Sequence, residues 1–133
     1  MIPNNAVTNV TLDSTKTFDT HGALNTSTGV FTAPESGFYQ VNGQIGFESI
    51  PTNNGVDAFC QINKNGGFYR MGSRVNQPGV VGYAPFAYSI VSDIVYLAKG
   101  DTCNLAAYQS SGASRALVAD SARIVFSIAK VSN

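Results

Sequence analysis

Residues 38–45 read Phe38-Tyr39-Gln40-Val41-Asn42-Gly43-Gln44-Ile45. From Tyr39 onward, amide side chains occupy every second position between apolar or small ones, the period of a strand with one buried face and not that of a helix. Ala122-Arg123-Ile124-Val125-Phe126-Ser127-Ile128 alternates in the same way. The stretch from Ile90 to Ala98 is crowded with Ile, Val and Tyr and ends in Lys99-Gly100-Asp101, which predicts a strand leading into a tight turn. Gly and Asn clusters punctuate the chain at Thr52-Asn53-Asn54-Gly55, Asn63-Lys64-Asn65-Gly66-Gly67, Gln77-Pro78-Gly79 and Ser110-Ser111-Gly112. No segment sustains a helical period, and neither a repeat nor a linker interrupts the pattern. Many short strands at near-regular spacing predict an all-β sandwich or barrel. At 133 residues the chain fits one domain, residues 1–133, with a substantial core.

The composition narrows the partners. Only 12% of residues are charged and the formal net charge is zero, against about a quarter charged in an ordinary domain. Asn, Ser, Thr and Gly make up the difference. A surface that is polar but uncharged lacks the long-range field that gathers nucleic acid or anionic lipid. No apolar stretch approaches the roughly 20 residues that cross a bilayer, so membrane insertion is not expected. Met1 to Val10 lacks the basic and apolar regions of a secretory signal, which predicts export within a larger particle or by another route. Cys60 and Cys103 fall on the apolar side of alternating runs and read as buried free thiols. A disulfide or a metal pair is the alternative. A metal would need three or four ligands, and the one histidine, His21, lies in a turn-like stretch.

Several segments carry a family pattern. Phe18-Asp19, then Asn25-Thr26-Ser27-Thr28-Gly29-Val30-Phe31-Thr32-Ala33-Pro34-Glu35-Ser36-Gly37-Phe38-Tyr39, resembles the signature of the complement C1q globular-head family, which shares its jelly roll with tumour necrosis factor. Gly29 and Gly37 fall where turns could need positive φ, Pro34 falls between strands, and Phe31 and Tyr39 supply large apolar groups. Gln61-Ile62-Asn63-Lys64-Asn65-Gly66 is similar to the family's Lys-Asn-Gly hairpin, and Leu97 to Leu105 to its Gly-Asp turn. Val41, Cys103 and Ile128 depart from the pattern, the first two replacing an aromatic and a Val, the third a Gly; all three stay apolar. The resemblance implies a jelly-roll β-sandwich of two antiparallel sheets that assembles as a homotrimer, with binding on exposed loops or across subunit junctions. Independently, strands of this kind leave aromatic and β-branched groups on more than one face, which a three-way interface would bury. Phe31, Tyr39, Phe47, Phe59, Phe86, Tyr96 and Phe126 are the expected core or interface residues.

No catalytic constellation is legible. His21 stands alone, and Asp13, Asp19, Asp57, Asp93, Asp101 and Asp120 are scattered singly. No phosphate loop, zinc spacing or calcium loop is present. Some members of the resembling family hold calcium, which makes Asp93 and Asp101 candidate ligands; single turn aspartates are far commoner, and no cofactor is expected. Tyr69, Arg70, Arg74 and Tyr83 lie in or beside the Gly-rich segment from Gly66 to Gly82 and are the candidate ligand-binding group, since aromatic rings and guanidinium planes suit glycan or protein contacts. The expectation is a non-enzymatic trimeric module on a virion surface or outside a cell: a phage tail-fibre or spike head that recognises a host surface glycan or protein. The alternatives are a capsid decoration protein that contacts capsid proteins and reinforces the particle, or a bacterial adhesin domain.

Overall fold

The computed structural model describes residues 1–11, 16–19, 23–48, 50, 56–75, 87–118 and 124–133. Strands and no helix occur among them: β1 Thr8–Asn9, β2 Lys16–Asp19, β3 Leu24–Asn25, β4 Val30–Thr32, β5 Gly37–Phe47, β6 Ala58–Lys64, β7 Gly67–Met71, β8 Ala87–Leu97, β9 Thr102–Gln109 and β10 Val125–Ser132. They form two sheets. The first runs β3-β4-β9-β6-β7 with β1 also on β9, and the second runs β2-β10-β5-β8. Every pairing is antiparallel except that of β2 with β10.

Alternation decides which side chains meet between the sheets. Tyr39, Val41, Ile45 and Phe47 of β5 point inward with Phe126 and Ile128 of β10 and Val91, Val95 and Leu97 of β8, all of them buried. Phe31, Cys60, Ile62, Cys103 and Leu105 meet them from the first sheet. Each large apolar group removed from water this way contributes about 1.5–3 kcal/mol. Tyr39 is fully buried, yet its hydroxyl donates to the Glu35 carbonyl at 2.7 Å while its ring meets Phe31 edge-on at 5.5 Å. The polar tip is thus satisfied inside the core.

Local chemistry sets the register. β4 and β1 lie end to end along one side of β9, Phe31 opposite Cys103 and Thr8 opposite Ala107. Gly29 sits at their junction with φ +73°, and a Cβ there would stand 2.0 Å from the Val10 carbonyl oxygen. Only glycine fits such a position. Asn65 and Gly66 take φ of 51° and 78° between β6 and β7, the mirror-image turn that an Asn-Gly pair favours in a two-residue hairpin. Gly100, at φ 90°, turns the chain from β8 to β9, with the Asp101 N–H donating to the Ala98 carbonyl at 2.9 Å.

Some expectations shift. Gly37 has no positive φ; it lies inside β5, where a Cβ would come within 2.5 Å of the Ser132 carbonyl oxygen. The need there is for space. The closing strand starts at Val125 and runs on to Ser132, further along than the alternation of residues 122–128 suggests. His21, Tyr83, Phe86, Asp13 and Asp120, and the turns at 52–55 and 77–79, lie outside the described residues.

Candidate functional site: the outer sheet faces

β7 is an edge strand whose residues are all exposed. On it the Arg70 guanidinium lies 5.9 Å from the Tyr69 ring centroid, within cation–π range. Arg70 Nε also donates to Asp93 Oδ2 on β8 at 2.7 Å, which ties the edge of one sheet to the edge of the other. Arg74 goes elsewhere: its Nε donates to Asp57 Oδ1 at 2.8 Å, and Nη2 to Oδ2 completes a two-pronged pair. The adjacent carboxylates hold both guanidinium pKa values up. The candidate ligand-binding group therefore divides: Tyr69 and Arg70 stand together, and Arg74 belongs to a separate ion pair.

Asp93 and Asp101 also belong to separate networks. Asp101 Oδ2 accepts from the Ala98 N–H at 3.0 Å, its Oδ1 accepts from Asn65 Nδ2 at 3.1 Å, and Lys64 Nζ stands 3.8 Å from it. These contacts hold the Asp101 carboxyl below the usual range, the backbone hydrogen bond foremost. Among the described residues no three His, Cys, Asp or Glu side chains gather as metal ligands. Cys60 and Cys103 are buried free thiols. Burial pushes Cys60 to about 11 and Cys103 to about 12, so both are thiols and not thiolates at neutral pH.

A second feature is one that sequence reasoning named only through Tyr96. The outer face of the second sheet exposes Tyr88, Ile90, Ile94 and Tyr96 of β8 and Phe38 of β5, each 40–56% accessible. Phe38 and Tyr96 pair across the strands with ring centroids 5.3 Å apart. Tyr88 lies over Gly46, where a Cβ would meet its ring at 2.8 Å. Gln40, Asn42 and Gln44 of β5 alternate onto this face, and the register sets Ala129, Ser127 and Val125 of β10 beside them. No outward position on β5, β8 or β10 from Phe38 through Ala129 carries a charge. The signal in the sequence was β8 itself, which has Ile or Tyr at every outward position except Ser92 and Val or Leu at inward positions 91, 95 and 97, so both faces carry large apolar groups.

The comparisons with known proteins agree with this architecture. No family model matches the sequence. No curated protein sequence matches it either. Among solved structures, murine APRIL at pH 5.0 superposes with a TM-score of 0.59 over 82% of this chain and 78% of that one, at 12% identity. Eiger TNF from S. frugiperda superposes at 0.54 over 98% and 90%, at 14% identity. The globular domain of zebrafish complement 1qA aligns over 80% and 81% with a TM-score of 0.49 and 12% identity. The chain has the TNF-like jelly-roll fold.

Proposed function

We propose that this chain is a non-enzymatic recognition module that assembles as a homotrimer through the outer face of β5 and β8. The observation that carries the reading is that face: it is free of charge over three strands and exposes Phe38, Tyr88, Ile90, Ile94 and Tyr96, in a protein that has its own buried core between the sheets. Exposed apolar patches of this kind mark interaction sites. Around a threefold axis the residues nearest the axis meet their own copies, so a charge there would meet its like. An uncharged face suits that geometry. The neighbouring edge strand β7, with Phe68, Tyr69, Arg70 and Met71 exposed, is left for the ligand, a surface glycan or protein. In this reading the module is a head domain on a virion tail fibre or spike, or another extracellular surface.

Light scattering coupled to size-exclusion chromatography at micromolar concentration is expected to give three times the chain mass. Ile94→Arg is expected to give a folded monomer, since Ile94 is 53% exposed and contributes little to the core. A wild-type monomer would overturn the assembly. Labelled trimer applied to a glycan array and to intact cells is expected to bind, and Tyr69→Ala with Arg70→Ala to lose that binding at unchanged mass. Binding to capsids alone would point to a decoration protein instead.

A further inference from the structure

The apolar column of β8 is interrupted once. Between Ile90 and Ile94 stands Ser92, and the register places Asn42 of β5 opposite it and Ser127 of β10 beyond. One polar row thus crosses three strands at the middle of the face. Its members are joined: Ser92 Oγ donates to Asn42 Oδ1 at 2.7 Å, and Asn42 Nδ2 donates to Ser127 Oγ at 3.3 Å. From the next row Gln40 Nε2 reaches Asn42 Oδ1 and Ser92 Oγ, both at 3.1 Å, and the Asp93 carbonyl at 3.3 Å.

We propose that the row of Gln40, Asn42, Ser92 and Ser127 fixes the register in which copies of this chain meet on the β5–β8 face; this rests on the self-association proposed above. The row keeps unused capacity of both signs. Among the described residues Gln40 Oε1 accepts no bond, the Ser127 hydroxyl donates none, and Asn42 Nδ2 donates one of its two N–H groups. A second copy presents the same acceptor and the same donors, so row can satisfy row. Any slip along the strands sets these groups against Ile90 or Ile94 of the neighbour. A buried polar group left without a partner costs about 1–3 kcal/mol, whereas the apolar residues of the column would pack in several registers at similar energy. Apolar area then drives association, and the polar row selects one arrangement, as a single buried Asn does in a coiled coil.

Two substitutions at one exposed site test this. Asn42→Leu removes the centre of the row and adds apolar area. Association is expected to be as tight as in the wild type or tighter, but native mass spectrometry is expected to find two or more stoichiometries in place of one. Asn42→Asp keeps the shape but gives each copy a charge and no N–H donor, and association is expected to weaken about tenfold or more. Circular dichroism checks that both variants are folded. A single wild-type stoichiometry that persists in Asn42→Leu, or an unweakened Asn42→Asp, would overturn the register role while leaving the self-association standing. A monomeric wild type removes both.

Discussion

The outer faces of the two sheets make opposite use of similar residues. On the first sheet, Phe59 stacks on Tyr108 at 5.0 Å, Gln61 Nε2 donates to Asn63 Oδ1 at 2.6 Å, and Asn104 Nδ2 donates to Asn9 Oδ1 at 3.0 Å. Phe59, Gln61, Asn63, Asn104 and Ala106 are all buried there. On the second sheet the aromatic and aliphatic groups stay 40–56% accessible, and the amide row between them keeps capacity to bond outward. Amides and aromatic rings alone do not make a binding surface. What distinguishes the second sheet is that, among the described residues, nothing closes over it, and this is why self-association is proposed there.

The comparison breaks most sharply on large side chains. Phe126, fully buried on the inner side of the second sheet, is expected to cost about 3–5 kcal/mol when changed to Ala. Tyr96→Ala, on the outer side of the same sheet, is expected to leave the stability of a dilute monomer within about 0.5 kcal/mol while weakening assembly. Phe59→Ala, on the outer face of the first sheet, should fall between them at roughly 2–3 kcal/mol, through lost burial and lost stacking. Urea melts in the Ile94→Arg background give all three numbers. A Tyr96 cost close to that of Phe126 would mean that the second outer face belongs to the fold and not to an interface.

Much of this was legible before any coordinates. Alternation in residues 38–45 marked β5, and the Asn65-Gly66 and Gly100-Asp101 pairs marked two turns, because positive φ and short side-chain caps are local properties. The register of β8 against β5 is not local. It decides that Ser92, Asn42 and Ser127 fall in one row and that Ile90 and Ile94 face outward, and no sequence spacing encodes a pairing across some fifty residues. The candidate site shows the same limit. Arg70 and Arg74 were grouped by proximity in sequence, but each has found its own carboxylate, on Asp93 and Asp57, from different parts of the chain.

The next effect concerns the turn that passes the chain from the open sheet to the closed one. Gly100 holds φ 90° with open space where a Cβ would go, so the obstacle to a side chain is backbone conformation and not crowding. Gly100→Val is expected to destabilise by about 1–3 kcal/mol, the strain of a β-branched residue in the left-handed region. Gly100→Asn should cost less, since Asn tolerates that region. Equal urea midpoints for wild type and the Val variant would show that the turn relaxes freely and does not fix the junction of the sheets.

The smallest effect is on the same turn and is read through pH. Asp101 fastens it twice, accepting from the Ala98 N–H within the turn and from Asn65 Nδ2 in the neighbouring hairpin of the first sheet. These bonds, with Lys64 nearby, favour the ionised carboxylate and lower its pKa in the folded protein. A group whose folded pKa is lowered stabilises fully above its unfolded value, near 4 for Asp, and loses that contribution as pH falls through the folded value. Asp101→Asn cannot ionise, so the stability difference between wild type and variant is expected to be largest near neutral pH and to shrink on acidification below about pH 4. All other ionisable groups are common to the two proteins and largely cancel from the difference. Paired urea melts across that range measure it, and a difference that stays constant with pH would mean that Asp101 holds the turn by shape alone, with no contribution from its charge.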